Sequence, residues 1–276
     1  MDFFAGKRAL IVGGSRGIGR ALAGLLAGRG ARVCVAARGA GDLDRVVAEL
    51  PPVAAGPHVR EVLDVTDAAA VARARAGVLA GLGGLDVLVC VCGFARAGGV
   101  FDTPAEDYRR MLDVNYLGHV NVVRSFGPEL VARRGSTICI ISSLAAIMPI
   151  YGYAAYAASK AAVAAFAEAL RQELKLAGVR VVIHYPPTTD TPGLAEENQT
   201  KPSAVWAIET LGGWNKVHTA ESVAASIAAA IERGRPQGLT GFGSRLLTTF
   251  IRLAPGFFRR MTDAEVSRAV AACDRK

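Results

Sequence analysis

Residues Ser142 to Lys160, SSLAAIMPIYGYAAYAASK, hold side chains whose types and spacing suit proton chemistry. Tyr156 and Lys160 are four apart, so on a helix they share one face, one turn from each other. An ammonium beside a phenol favours the phenolate and lowers its pKa. A phenol tuned in this way can hand a proton to a developing alkoxide near neutral pH. Ser143 precedes Tyr156 by thirteen residues. It is expected on the loop after a strand, hydrogen-bonded to the same carbonyl oxygen. Tyr151 and Tyr153 have no Lys four residues on and are expected to wall a pocket or pack. Ala-rich helices produce Tyr-x-x-x-Lys pairs by chance, so the reading needs a second motif.

That motif lies near the N-terminus. Arg8–Val12 reads as a buried strand and Arg20–Arg29 as an apolar helix, joined by Gly13-Gly14-Ser15-Arg16-Gly17-Ile18-Gly19. Glycines let a backbone approach a pyrophosphate closely, and a helix N-terminus offers free N–H groups and a positive dipole. A second strand, Arg32–Ala36, ends at Ala37-Arg38 with no acidic residue to bind a ribose 2′-hydroxyl. Arg16 and Arg38 are placed to embrace a 2′-phosphate, whose oxygens suit a planar guanidinium. The competing reading leaves both arginines solvated. NADPH is the expected cofactor.

Further strands are expected at Val59–Leu63, Leu85–Val91, Ser136–Ile141 and Val179–Tyr185, with an edge strand at Leu239–Phe242. Helices are expected at Asp42–Leu50, Ala68–Leu82, Tyr156–Ala177 and Glu221–Arg233, and one opens at Pro104 with Thr103 as its cap. Asp64 or Thr66 is placed to cap the Ala68 helix. Strands alternating with helices predict an α/β fold, a Rossmann-like doubly wound parallel sheet. One domain is expected, with a core over about residues 6–242 and a basic extension over 243–276. Ligands bind beyond the carboxyl ends of such strands, where the motifs fall.

Composition agrees with a folded globular chain: 276 residues, 51% apolar and 20% charged. Gly135–Ser159 runs 25 residues without a charge, long enough to nominate a membrane helix. Ser142, Ser143, Pro149 and Gly152 divide it instead into strand, loop and helix start. The N-terminus enters a strand directly, so no secretory leader is expected. Cys34, Cys90, Cys92, Cys139 and Cys273 read as free thiols in a reducing compartment, and no metal site is expected.

With Ser143, Tyr156, Lys160 and this glycine loop together, the chain resembles the short-chain dehydrogenase/reductase family over about residues 6–235. The resemblance implies that Lys160 also holds the cofactor ribose. It implies that Asn115 kinks its helix and holds a water relaying protons to Lys160. Asp64, followed by Val65, would accept from the adenine amine. After the sixth strand and Pro186, Thr189 would face the nicotinamide amide through its backbone and Thr191 the phosphates. Val12 stands where the family usually has Thr, which predicts a looser loop. Cys90-Val91-Cys92-Gly93 keeps only Gly93 of the usual Asn-Asn/Cys-Ala-Gly, and Cys90 is expected to remove polar contacts on the adenosine side. Pro187 replaces a Gly.

Residues 185–202, YPPTTDTPGLAEENQTKP, resemble one branch of that family, the 3-ketodihydrosphingosine reductases, as does Asn115-Tyr116-Leu117-Gly118. That branch implies NADPH-dependent reduction of a long-chain sphingoid ketone. Glu196 or Glu197 could meet the substrate's ammonium; a solvated helix face is the alternative. The rivals are a reductase of a 3-oxoacyl thioester or steroid ketone, and a non-catalytic NADPH-binding scaffold. The resemblance also implies a homo-oligomer, dimer or tetramer, paired through small residues such as Ala157, Ala161, Ala164 and Ala165.

Net charge is +8, and residues 233–276 carry nine Lys/Arg against three Asp/Glu. No nucleic-acid motif accompanies this charge, and no nucleic-acid partner is expected. From Ser244, Leu246, Leu247, Phe250, Ile251 and Leu253 alternate with Arg245 and Arg252, and Phe257-Phe258 precede Arg259-Arg260. Two readings stay open: a segment lying in a membrane interface, or a helix packed on the core with solvated arginines. The expected location is cytoplasmic, peripheral on the membrane face under the first reading.

Overall fold

The computed structural model describes residues 2–211 and 216–273. Its strands are β1 (Arg8–Val12), β2 (Arg32–Ala37), β3 (Val59–Val62), β4 (Val87–Cys90), β5 (Thr137–Ile141), β6 (Arg180–Tyr185), β7 (Thr189–Asp190), β8 (His218–Thr219) and β9 (Gln237–Leu239). The helices are α1 (Gly17–Gly28), α2 (Ala40–Glu49), α3 (Ala68–Leu82), α4 (Ala105–Leu112), α5 (Gly118–Val131), α6 (Ala154–Leu174), α7 (Pro192–Asn198), α8 (Ser203–Leu211), α9 (Ala220–Arg233), α10 (Gly241–Leu253) and α11 (Pro255–Cys273). Seven strands form one parallel sheet in the order β3-β2-β1-β4-β5-β6-β9. The order reverses between β1 and β4, where a doubly wound sheet opens its ligand crevice.

Strand side chains alternate between two cores. Leu10, Val12, Leu88 and Cys90 pack with α3, α5 and α6. Ala9, Ile11, Val87 and Val89 pack with α1, α2 and α9 on the other face. Burial on both faces explains the continuous apolar runs of β1, β4 and β5. Cys90 is fully buried among the first set. The expected loss of polar contacts on the adenosine side is therefore corrected: this position faces the core, and Cys92 and Gly93 face the cleft instead.

Several expected details differ. Asp67, rather than Asp64 or Thr66, caps α3 by accepting from the Ala70 N–H at 2.9 Å. Thr103 does not cap α4; its hydroxyl donates to the Gly99 carbonyl at 2.8 Å. The expected edge strand ends at Leu239, because Gly241 takes φ +78° and α10 begins there. The long helix after Pro104 is interrupted by a π turn over Asp113–Leu117.

The glycine loop depends on close backbone contact. A Cβ on Gly19 would lie 2.1 Å from the Gly13 carbonyl oxygen. Gly19→Ala is expected to cost about 1–3 kcal/mol through forced displacement of the loop, read as a lower midpoint in chemical denaturation.

Candidate active site

The carboxyl ends of β1, β4, β5 and β6 open into one cleft of about 2480 Å³. At one end lies the Gly13–Gly19 loop. Gly13 takes φ +94°, and a Cβ there would lie 2.6 Å from the Cys92 nitrogen. Arg16 occupies the N-cap of α1 in extended conformation without a side-chain cap, and the first turn has no acidic residue. Those N–H groups and the helix dipole are thus directed at the cleft for an anion. A Cβ on Gly17 would lie 3.0 Å from the Thr191 methyl. A cradle that any side chain would fill, beside an uncapped helix start, fits the pyrophosphate of a dinucleotide.

The proton-handling residues meet where β5 gives way to α6. Ser142 donates to the Lys160 carbonyl at 2.8 Å, which pins α6 to the strand end. Ser143 Oγ accepts from the Ala145 N–H at 3.2 Å and lies close enough to Tyr156 to affect its ionisation. Lys160 is 4% exposed; its Nζ donates to the Ile141 carbonyl at 3.2 Å and lies 5.9 Å from the Tyr156 ring centroid. A Cβ on Gly93 would sit 3.3 Å from that Nζ, so a side chain here would press on the ammonium. Burial lowers the Lys160 pKa to about 8, with a smaller upward pull from Cys92. Burial pushes Tyr156 up to about 12; the Ser143 hydroxyl pulls it down and the charge of Glu197 adds to the rise. The expectation that Lys160 sets a low phenol pKa is corrected. Desolvation prevails, because both groups sit in a low-dielectric site and the ammonium turns to a carbonyl.

Asn115 is fully buried at the π turn. Its Oδ1 accepts from the Phe94 N–H at 2.8 Å, and its Nδ2 donates to the Phe94 carbonyl at 2.8 Å and the Ser159 hydroxyl at 2.9 Å. Nearby, His119 donates from Nε2 to the Cys92 carbonyl at 3.1 Å, with burial lowering its pKa to about 3. Together they clamp the loop after β4 from below.

The remaining expected residues line the same cleft: Ser15, Ile18, Arg38, Asp64, Val65 and Pro186. The Thr66 N–H and hydroxyl both donate to Asp64 Oδ1, at 2.9 and 2.8 Å. Those bonds hold the Asp64 carboxyl below its usual range against burial, with Arg38 adding to the fall. Pro186 accepts at its carbonyl from the Leu144 N–H at 3.0 Å. Thr189 sits on β7 and donates to the Pro187 carbonyl at 2.8 Å. Thr191 caps α7, its Oγ1 accepting from the Leu194 N–H at 3.2 Å.

Ion pairs tie Arg16 and the two glutamates of α7 to other side chains. Arg16 is not simply solvated: its guanidinium forks onto Glu196 of α7, Nη2 at 3.1 Å from Oε2 and Nη1 on Oε1. Glu197 turns inward to Tyr153 and Lys201. Glu209 joins them, accepting from the Tyr153 hydroxyl at 2.9 Å and from Lys201 at 2.8 Å. Sequence reading left Tyr153 as a wall and missed Lys201 and Glu209. The Glu197–Lys201 spacing of four was the available signal; nothing local marks Glu209. Among the described residues no group of His, Cys, Asp and Glu could hold a metal.

Comparison with known proteins agrees with this geometry. A 3-dehydrosphinganine reductase from Danio rerio is 33% identical over 213 residues, 75% of this chain and 64% of that protein. The chain thus spans less than two thirds of that relative's length. A short-chain dehydrogenase/reductase from Burkholderia phymatum, solved with NAD, superposes with TM-score 0.80 at 26% identity, over 93% of this chain and 96% of its own. A short-chain dehydrogenase from Burkholderia cenocepacia J2315, solved with NADP, gives TM-score 0.77 at 24% identity, over 94% and 98%; this second likeness concerns the fold alone. The short chain dehydrogenase family matches residues 7–202, well over half of the sequence, and the chain belongs to that family of oxidoreductases.

Proposed function

We propose that the chain is an NADPH-dependent reductase of long-chain 3-keto sphingoid bases, giving the 3-hydroxy product. The observation that carries this reading is the single cleft joining the glycine loop, the Ser143–Tyr156–Lys160 group and an apolar arm along α10 and α11. Leu247, Phe250, Phe258 and Met261 line that arm. The cleft exceeds the roughly 300–1,000 Å³ of an ordinary small-ligand pocket, which suits a dinucleotide and a long chain together. The likeness to a 3-dehydrosphinganine reductase supports the substrate class. A 3-oxoacyl thioester or steroid ketone is the runner-up within the same chemistry.

NADPH supplies the hydride that goes to the carbonyl carbon. In this reading the Ser143 hydroxyl steadies the carbonyl oxygen, and Tyr156 keeps its proton until charge develops there, then donates it from its hydroxyl. The Lys160 ammonium stabilises the phenolate that remains, and the Asn115 segment serves the water that returns a proton to it. The α1 N-terminus and Thr191 take the pyrophosphate, Asp64 the adenine amine, and the Thr189 backbone the nicotinamide amide. Arg38 takes the 2′-phosphate, with Arg16 where that phosphate draws it from Glu196. Holding the reactants in near-attack geometry removes on the order of 7–11 kcal/mol of barrier.

The C-terminal helices carry the membrane part of the proposal. Phe242, Leu246, Leu253 and Phe257 are exposed, close in sequence to Arg245, Arg252, Arg259 and Arg260. Apolar and basic groups together suit an anionic lipid surface. Among the described residues no helix is long and apolar enough to cross a membrane. A cytoplasmic homo-oligomer completes the reading: Ala161 and Ala165 are exposed on α6, whereas Ala157 is buried in the chain's own core.

Tyr156→Phe is expected to cut ketone turnover by at least ~100-fold, the low end for a positioned general acid, while NADPH binding by calorimetry persists. Arg38→Asp is expected to raise the Km for NADPH far more than that for NADH; equal changes would remove Arg38 from the 2′-phosphate site. Lys160 is charged below about pH 8 and neutral above it. The turnover rate under saturating NADPH is therefore expected to be level up to that pH and to fall beyond it, and a profile flat to pH 10 would show that this charge does not serve the step.

A further inference from the structure

The side of the cleft formed by α7 and α8, its lid, holds charge that the reduction itself does not use. Glu197 on α7 and Glu209 on α8 line the cleft, and their side chains are 10% and 12% exposed. The Tyr153 hydroxyl lies within hydrogen-bond reach of both and donates its one proton to one of them at a time. Lys201 is packed with them at 1% exposure, its Nζ 3.3 Å from Glu197 and 2.8 Å from Glu209, over the Tyr153 and Trp206 rings. Two carboxylates against one ammonium leave one net negative charge. An unbalanced charge in a water-poor site is costly unless a ligand brings the opposite sign. The Tyr153 ring lies 6.2 Å from that of Tyr156, centroid to centroid, so this charge is one side chain away from Tyr156. The Thr240 residue of the same cleft is 4% exposed and its hydroxyl has no hydrogen-bond partner.

We propose that Glu197, with Glu209, determines substrate specificity by accepting an ammonium carried on the carbon next to the ketone. The proposal rests on the reading of the cleft as a ketone reductase's. A ketone held at Tyr156 keeps a substituent on the adjoining carbon in the same part of the cleft, beside Tyr153. The substrate cation neutralises the lid charge on arrival, and a charge-assisted hydrogen bond fixes its orientation. That cation also offsets the field of Glu197, which holds the proton on Tyr156. An acyl thioester or a steroid ketone brings no such cation.

The test compares wild type, Glu197→Gln and Glu209→Gln on a long-chain 2-amino-3-ketone and on its deamino analogue of equal length. Wild type is expected to favour the amino ketone. Either variant should raise the Km for the amino ketone about tenfold and lower the kcat/Km preference for the amino ketone over the deamino ketone by about as much, whatever change both ketones share through Tyr156. Equal losses on both ketones, or no preference in wild type, would overturn the proposal. A binding arm separates this result from the fate of the reductase reading. With NADP present, wild type should bind a long-chain 2-amino alcohol tighter than the matching alcohol, and the Gln variants should not. If wild type reduces only a thioester, the sphingoid reading falls while the binding arm still decides the ammonium site. Failure of wild type to distinguish amine from alcohol defeats the site whichever variants fold.

Discussion

The site depends on one buried amide. Asn115 at the π turn bonds to both backbone groups of Phe94 and to the hydroxyl of Ser159. Three segments distant in sequence are thereby held in one arrangement: the α4–α5 helix, the loop after β4 and the start of α6. Ser159 precedes Lys160, and Phe94 follows the glycine against which the Lys160 ammonium rests. The amide therefore sets where the lysine can lie. A buried network of this kind is rigid because each partner left unpaired would bear its full desolvation penalty.

Burial also governs the electrostatics. Lys160, Tyr156 and His119 all have pKa values shifted towards their neutral forms, in each case with desolvation as the largest cause. The cleft thus holds a protonated phenol beside a lysine that remains an ammonium at neutral pH and loses its proton near pH 8. Opposing charges are paired: Arg16 with Glu196 at the exposed rim, and Lys201 with Glu197 and Glu209 in a buried cluster. Neighbouring residues of one short helix, Glu196 and Glu197, face the glycine loop and the substrate side respectively. The lid is consequently tied to both halves of the cleft. Farther out, α11 packs on α8 and α10, so the C-terminal helices extend the wall that the lid begins.

Much of this was legible along the chain. The expected strands fall on the first six strands of the sheet, the seventh overlaps β9 only at Leu239, and the loop from Gly13 to Gly19 sits between the expected strand and helix. Gly93, Ser143, Tyr156 and Lys160 line one cleft, and Asn115 is buried behind it. Errors fell where a residue's environment, rather than its neighbours, decides its behaviour. Thr103 and Asp64 had the chemistry of caps, but the helices took Pro104 and Asp67 instead. Cys90 turned to the core because strand alternation assigned that face.

The sequence by itself determined the periodicities, the glycines that permit close approach and the four-residue spacing that puts Tyr156 and Lys160 on one helical face. These follow from backbone geometry, which is local. Tertiary structure alone decided that Arg16 meets Glu196 across 180 residues, that Glu209 joins Glu197 beside Tyr153, and that the Tyr156 pKa rises rather than falls. Those outcomes depend on which distant groups share a pocket and how much water is excluded from it. No spacing along the chain encodes the local dielectric, which exists only once the sheet, the lid and the C-terminal helices have closed around the cleft.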